Sequence, residues 1–348
     1  ALSTDTKGEQ SVAIGYRALK AQNQSTSANA YNTAVGSQAG LSVTTGQFNT
    51  LIGGIAGDAL TEGTRNIAVG YNALTSDTLG SKSVAVGLGA LQDQNFTTAT
   101  DSLNTAVGHG AGSSVTTGVN NTLLGALAGD ALTTGSNNHA IGRDALGADT
   151  LGSQSIAIGR LALGSQNFTT ATDVYNVAIG SQAGYAISTG IYNTLVGALS
   201  GDALTDADNN VALGWGTLST DTLGSRSVAI GRSALQNQNF TTATDSYNTA
   251  VGYSAGVSVT TGIFNTITGG LAADALTVGE RNTVYGKSAL TSDTKGSRAV
   301  AIGLSALATQ NFTTATDNYN VAVGYSAGGL VTTGVQNTFI GGLSGDAT

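Results

Sequence analysis

The sequence predicts an all-β fold, a parallel β-solenoid in which a short coil is repeated about nineteen times. The first observation behind this prediction is a five-residue pattern ending in glycine that recurs along the whole chain. The second is that apolar residues within the pattern alternate with a period of two, which is typical of strands. The third is composition, because 50 of 348 residues are glycine and none is proline. Glycine at this frequency excludes a helical repeat.

The recurring pattern is x-[Val/Thr]-[Ala/Leu]-[Ile/Val]-Gly, and its closing glycine marks each coil. The closing glycines are spaced by 21, 17, 17 and 17 residues before the series starts again, so that four coils form a super-repeat of 72 residues. We therefore expect a single continuous repeat domain over residues 1–348, with super-repeats at approximately 1–72, 73–144, 145–216, 217–288 and 289–348. The closing glycines are Gly15, Gly36, Gly53, Gly70, Gly87, Gly108, Gly125, Gly142, Gly159, Gly180, Gly197, Gly214, Gly231, Gly252, Gly269, Gly286, Gly303, Gly324 and Gly341.

Each predicted strand is apolar on both of its faces. The residue before the closing glycine is Ile, Val or Leu in 17 of 19 coils, and the residue before that one is Ala in 13. Successive side chains of a strand point to opposite faces, so one face can fill the interior of the coil. The other face needs a cover that a thin solenoid cannot supply, and a partner chain is the simplest cover.

Three further positions are specified in nearly every coil. The third residue after the closing glycine is Ala in 16 coils, which predicts a narrow interior. The tenth is Gly in 12 of the 13 complete 17-residue coils, as at Gly46, and we expect this turn position to need a positive φ. Asn opens the strand in 14 coils, including Asn32, Asn49 and Asn66, which predicts a buried ladder of amide side chains.

The 21-residue coils carry four extra residues within segment 94–101 and its equivalents, which contain Phe168, Phe240 and Phe312. A degenerate version lies at residues 23–24. Insertions in solenoids form loops on one face, so these loops are candidates for a functional surface. Trp215, the only tryptophan, and the recurring tyrosines Tyr71 and Tyr253 could stack on carbohydrate, whereas the alternative is an incidental exposed position.

Acidic residues recur in two series at 72-residue spacing. We interpret both series as turn caps, with metal binding as the alternative. Calcium would need several oxygen ligands gathered in one place, whereas the members of each series lie about four coils apart. The series are Asp58, Asp130, Asp202, Asp274 and Asp346, and Asp5, Asp77, Asp149, Asp221 and Asp293.

His109 and His139 occupy unrelated coil positions, and neither a Ser-His-Asp set nor a cleft of paired carboxylates repeats with them. We therefore predict no catalytic residue, no cofactor, no metal site and no enzymatic activity. The net charge of −8 is spread over single residues, which argues against a nucleic-acid partner. No apolar run approaches the roughly 18 residues that would predict membrane insertion of this segment.

The strings SVAIG at 11–15 and SVAVG at 83–87 resemble the head repeats of trimeric autotransporter adhesins of the YadA type. The string NTAVGYSAG at 248–256 is similar to repeats of phage tail fibres, notably those of cyanophages. The resemblance covers nearly the whole chain. It implies a left-handed parallel β-roll in which three chains associate along a common axis, and the motif carries no catalytic residues.

The expected function is that of a structural or adhesive extracellular fibre on a cell surface or virion, such as an adhesin shaft or a tail fibre. It would act as a rigid spacer whose repeated loops contact a receptor. We expect a homotrimer, end-to-end stacking into a filament because neither end has a capping pattern, and a surface glycan or receptor as further partner. The alternative is an ice-binding or carbohydrate-binding β-solenoid.

Overall fold

The computed structural model describes residues 1–24 and 26–346 and confirms the predicted class, an all-β parallel solenoid of about 19 turns. No helix occurs among these residues, so none of them forms a helical membrane span. The chain divides into two compact units, Ala1–Tyr175 and Asn176–Thr348. In both units each coil contributes one three-residue strand, because a β-branched residue, a small or apolar residue and a second β-branched residue precede the closing glycine.

The described residues of the first unit, 1–24 and 26–175, form fifteen strands. They are β1 Gly8–Glu9, β2 Val12–Ile14, β3 Ala28–Asn29, β4 Thr33–Val35, β5 Thr50–Ile52, β6 Ile67–Val69, β7 Gly80–Ser81, β8 Val84–Val86, β9 Thr100–Asp101, β10 Thr105–Val107, β11 Thr122–Leu124, β12 His139–Ile141, β13 Gly152–Ser153, β14 Ile156–Ile158 and β15 Thr172–Asp173.

Over its described residues, 176–346, the second unit forms fourteen strands. They are β16 Val177–Ile179, β17 Thr194–Val196, β18 Val211–Leu213, β19 Gly224–Ser225, β20 Val228–Ile230, β21 Thr244–Asp245, β22 Thr249–Val251, β23 Thr266–Thr268, β24 Thr283–Tyr285, β25 Gly296–Ser297, β26 Val300–Ile302, β27 Thr316–Asp317, β28 Val321–Val323 and β29 Thr338–Ile340.

Equivalent strands of successive coils pair in parallel without any shift of register. In the first unit, β8 pairs with β10 so that Ala85 lies opposite Ala106, and β10 pairs with β11 so that Ala106 lies opposite Leu123. The two-residue strands form separate short pairs beside the 21-residue coils, such as β7 with β9 and β19 with β21. Because equivalent residues of successive coils stack directly on one another, each coil position forms a row of side chains.

The interior of the coil is filled by the middle residue of each strand. Leu51 is fully buried, and it fits because the neighbouring interior positions are Gly40 and Gly57, where an added Cβ would lie 2.7 and 2.8 Å from its Cδ atoms. In the next coil the middle strand residue is the small Ala68. There the position equivalent to Gly57, four residues after the closing glycine, holds the buried Leu74. A large residue in one interior row therefore stands against small residues in the other row, which fits the close packing expected of a protein interior. The third residue after the closing glycine, such as Ala56, is also fully buried, as the narrow interior requires.

Both recurring glycines of the coil are in close contact with the next coil, but only the closing glycine also has a positive φ. Gly87, which closes β8, has a φ of +138°, and an added Cβ would lie 2.2 Å from the carbonyl oxygen of Gly108. The prediction that the tenth-position glycine also needs a positive φ is wrong, because Gly46 is not among the residues with positive φ. An added Cβ at Gly46 would instead lie 2.5 Å from the carbonyl oxygen of Gly63 in the next coil. The tenth position therefore requires glycine for close backbone contact.

The asparagines that open the strands form the predicted buried ladder. Asn49 is fully buried, its Oδ1 accepts a hydrogen bond of 2.9 Å from the backbone N–H of Asn66, and its Nδ2 donates one of 2.9 Å to the carbonyl of Gly63. Each amide thus joins the backbones of neighbouring coils, rather than bonding chiefly to the amide above it. Buried backbone N–H and C=O groups that lie outside the strand pairings obtain hydrogen-bond partners from these amides.

Candidate functional site

The loop of the 21-residue coil is the most exposed of the repeated segments. Its Phe96 is turned inward and is 5% exposed, as its equivalents are 5–6% exposed, whereas Thr97, Thr98 and Ala99 are exposed. After these three residues, β9 pairs with β7 in a separate two-stranded sheet. The buried phenyl ring anchors the loop, and the polar three-residue tip is left in solvent. The tips are residues 97–99 and 169–171 in the first unit and 241–243 and 313–315 in the second.

A buried polar cluster supports the base of this loop. Asp77 and Gln94 are fully buried at the interior position that holds the apolar Val43 and Leu60 in other coils. Gln94 Nε2 donates a hydrogen bond of 2.6 Å to Asp77 Oδ2. Asp77 Oδ1 accepts hydrogen bonds from the backbone N–H of Phe96, at 3.1 Å. A carboxylate at this position therefore satisfies backbone donors that the extra residues of the loop bring into the interior.

Gln94 also bridges the position at which the asparagine ladder is interrupted. Ser83 opens β8 where asparagine would stand, and its hydroxyl cannot reach as far as an amide. Gln94 Nε2 donates to Ser83 Oγ at 2.8 Å, and Gln94 Oε1 accepts from Asn104 Nδ2 at 2.8 Å. The ladder thus passes through the glutamine and continues at Asn104. Sequence reasoning missed Gln94, although a polar residue at an otherwise apolar position of the repeat was a usable signal.

The two acidic series differ in structure. Asp77 caps a turn as predicted, because its Oδ1 accepts a hydrogen bond of 3.0 Å from the N–H of Gly80. The turn-cap prediction does not describe Asp58, which accepts a hydrogen bond from the hydroxyl of Thr75 in the next coil. Within residues 1–24 and 26–346, no group of three or more His, Cys, Asp or Glu side chains could hold a metal ion.

Burial raises the pKa of the Asp77 carboxyl above its ordinary value of 3.8, although hydrogen bonds from Gln94 and from the N–H groups of Phe96, Gly80 and Thr78 oppose this shift. Folding therefore shifts the protonation equilibrium of Asp77 toward the neutral carboxyl relative to the unfolded chain. A group with a raised folded pKa contributes stability below its unfolded pKa and loses it as the pH rises through the folded value.

We expect the stability advantage of the native chain over Asp77→Asn to be largest at about pH 3 and to shrink as the pH rises. Each unit by which the folded pKa exceeds the unfolded one corresponds to about 1.4 kcal/mol. Urea unfolding of both proteins between about pH 3 and pH 7 measures this difference. An advantage that grows with pH would show that the hydrogen bonds to Asp77 outweigh its burial.

The first and third residues of each three-residue strand form a second surface, here called the outer strand face. It is half-buried to exposed: the third strand position is Ile, Val or Leu in 17 of 19 coils, whereas the first is Thr in nine. Ile52, Val107 and Tyr285 are 39%, 40% and 61% exposed. The sequence could not tell which of the two apolar strand faces is buried, and the structure places the β-branched residues outside. Within each unit, the described residues leave this face partly open to solvent.

The residues that follow the closing glycines lie next to the outer strand face, and Trp215, Tyr71 and Tyr253 are among them. They are 46%, 57% and 54% exposed, so the rings are accessible as the sequence suggested. His109 occupies the same coil position, whereas His139 lies on the outer strand face, and both are exposed. The structure gives neither histidine an ion pair with a carboxylate of the described segments.

The fold and its surfaces define the chain as a parallel β-solenoid repeat protein. No model of a known protein family matches the sequence, and a search of curated proteins finds no match. The function must therefore be inferred from the exposed loops and the outer strand face.

Proposed function

We propose that the chain is a segment of a structural or adhesive extracellular fibre, on a cell surface or virion, in which three copies cover one another's outer strand faces. The observation that carries this proposal is the row of Ile, Val and Leu at the third strand position, which stays half-buried to exposed on coil after coil. Monomeric soluble proteins rarely expose a contiguous apolar patch larger than a few hundred Å². Mutual cover by identical chains removes this surface from water, and the resemblance to trimeric adhesin heads favours three chains.

The hydrogen-bonded interior suits a load-bearing spacer. Successive strands pair in register, and each ladder asparagine adds two bonds between neighbouring coils, as Asn121 does to Asn138 and Gly135. Repeat proteins of this kind owe their stability to contacts between adjacent repeats. No side chain of the described cluster around Asp77 is open to a substrate, since Asp77, Gln94 and Ser83 are fully buried. A structural role therefore explains more of the recurring coil geometry than an enzymatic one.

The exposed loop tips are the proposed receptor-contact surface. Each unit carries two of them, separated by four coils, or about 19 Å of stacked strands. Repeated weak contacts on one chain raise the overall affinity when the receptor surface is itself repetitive, as a surface glycan is. Assembly of three chains would multiply the number of tips by three.

We expect the purified segment to sediment at equilibrium with a mass of about three chains of 34.4 kDa each. The double variant Leu213→Glu, Tyr285→Glu places charges on the outer strand face of the second unit and should shift the protein to monomers. Charged groups are costly to bury at an interface unless they are paired.

The control for this experiment is Ala243→Glu, which adds one carboxylate to an exposed loop tip and should leave the mass unchanged. A monomeric native segment would contradict the trimer. Dissociation of Ala243→Glu to the same extent as the double variant would show that assembly does not use the outer strand face.

A further inference from the structure

We propose that the second unit binds an acidic polysaccharide through the residues that follow its strand-closing glycines, with Trp215, Arg232 and Tyr253 as the principal site. These positions are here called the post-strand row. The proposed fibre function does not require such a site, so the inference adds a ligand-binding surface distinct from the loop tips. In the second unit the row consists of Ser181, Ala198, Trp215, Arg232, Tyr253, Gly270, Lys287, Leu304, Tyr325 and Gly342.

The charge of this row is opposite to that of the whole chain. The chain has 21 acidic and 13 basic residues, yet no residue of the post-strand row is acidic, while Arg232 and Lys287 are basic. The outer strand face beside it also lacks acidic residues. An anionic ligand would therefore meet a locally positive surface on an acidic protein, and the surrounding negative charge would disfavour binding elsewhere.

The three principal residues lie on consecutive rungs of the solenoid. The N–H of Ser233 donates to the carbonyl of Trp215 at 3.0 Å, and the N–H of Ser254 donates to the carbonyl of Arg232 at 2.9 Å. The Arg232 guanidinium carbon lies 5.2 Å from the centroid of the Trp215 ring and 6.0 Å from that of Tyr253. The guanidinium is thus held between two aromatic rings, in the geometry of a cation–π contact.

Arg232 differs from the other arginines of this unit in having no carboxylate partner. Arg226, Arg281 and Arg298 are paired with Asp245, Glu280 and Asp317 at 2.5–2.9 Å. No such ion pair involves Arg232 in the described part of the chain. Its planar fork of N–H donors matches a carboxylate in two parallel hydrogen bonds, and stacking between the rings fixes its orientation before a ligand arrives.

The Trp215 and Tyr253 rings on either side of Arg232 are flanked by small residues that leave space for a sugar. Ala198 precedes Trp215 by one rung and Gly270 follows Tyr253 by one rung, and a Cβ added at Gly270 would meet only the carbonyl oxygen of Tyr253, at 3.9 Å. By contrast, Tyr247 and Phe264 stack on each other with centroids 5.7 Å apart, so they cover each other's faces. An aromatic face flanked by small residues can receive the C–H face of a pyranose ring.

The sparse cations favour an acidic polysaccharide over single-stranded nucleic acid, which also combines rings with negative charge. Arg232 and Lys287 lie three rungs apart, or about 14 Å. A nucleic acid carries a charge on each nucleotide and needs a continuous basic groove, which an acidic chain of net charge −8 does not provide. A polysaccharide with a carboxylate on alternate sugars needs only separated cations with rings between them.

Trp215 is the only tryptophan, so its fluorescence reports directly on this site. Titration of the intact segment with a hyaluronan octasaccharide, in which uronic acid alternates with a neutral sugar, should give a saturable change in emission. Arg232→Gln should weaken binding about tenfold or more, because a charge-assisted hydrogen-bond pair is lost. The matched control is Arg226→Gln in the same coil, which removes an exposed, stacked but ion-paired arginine and should leave the affinity unchanged.

Four results would overturn the proposal: no saturable change, equal weakening by both variants, equal affinity for a neutral dextran of similar length, or tighter binding of a thymidine dodecanucleotide. Circular dichroism should show the same thermal midpoint for both variants, since both residues are exposed. The sedimentation experiment on assembly is independent of this titration, so failure of the site and failure of the fibre proposal can be told apart.

Discussion

Replacing Gly197 by alanine is expected to lower the free energy of unfolding by roughly 3–5 kcal/mol, one of the two largest losses that a single substitution should produce in this protein. Gly197 closes β17 with a φ of +131°, a conformation that side chains disfavour. An added Cβ would lie 2.4 Å from the carbonyl oxygen of Gly214 in the next coil. That oxygen belongs to the backbone, so relief would require the two coils to separate and their pairing to weaken.

Gly216→Ala is the matched control for this substitution. Gly216 lies one coil further on with a φ of +60°, and an added Cβ would meet no atom within 4 Å. We expect a loss of only about 1 kcal/mol, the cost of a left-handed conformation for alanine. Urea unfolding followed by circular dichroism measures both losses. Equal losses at the two positions would show that backbone conformation alone, without the contact between coils, accounts for the requirement.

The repeat alone was sufficient to predict the number of coils, the parallel pairing and the buried asparagines. It could not separate the two reasons for a recurring glycine, because close contact alone at Gly46 and close contact with a positive φ at Gly87 leave the same letter in the sequence. It also did not reveal that Phe48 and Gln38 adopt left-handed backbone, with φ of 59° and 62°. Their N–H groups bond across coils, to Ala30 and Tyr16, at 2.8 and 2.7 Å, and these bonds help to offset the local strain.

The polar cluster under the loop was only half predictable. The spacing of the Asp77 series indicated a turn cap, which depends on a contact three residues along the chain. Gln94 lies 17 residues from Asp77 and meets it only when two coils stack. Contacts between coils depend on the exact register, and the register of the long coil depends on where its four extra residues leave the sheet. The exposure of Thr97 at the loop tip and of Ile52 on the outer strand face likewise depends on which side chains fit inside the coil. The apolar or polar character of the residues alone does not predict it.

Asn265→Ala is expected to cost roughly 3–5 kcal/mol, because the fully buried Asn265 joins two coils and alanine can join neither. Its Nδ2 donates to the carbonyl of Gly279 at 2.9 Å, and its Oδ1 accepts from the backbone N–H of Asn282 at 3.0 Å. The substitution leaves that carbonyl and that N–H buried without their partners. Each such unsatisfied group costs about 1–3 kcal/mol.

One position of this ladder holds alanine, and there a second side-chain acceptor takes the place of the missing amide oxygen. At Ala299 the ladder has no side-chain oxygen, yet the N–H of Asn320 in the next coil finds another acceptor, Asn318 Oδ1, at 2.9 Å. Asn265 has no equivalent substitute, since Glu280 stands two residues before Asn282 and pairs with Arg281.

Urea unfolding of Asn265→Ala beside Asn237→Ala, an exposed asparagine in the same unit, tests whether the ladder position is the cause. The exposed substitution should change the free energy of unfolding by no more than about 0.5 kcal/mol. If Asn265→Ala were equally mild, the backbone groups of neighbouring coils would have to find water or one another. The ladder would then be a consequence of coil stacking. A loss confined to Asn265→Ala would make it one of the interactions that hold the stack together.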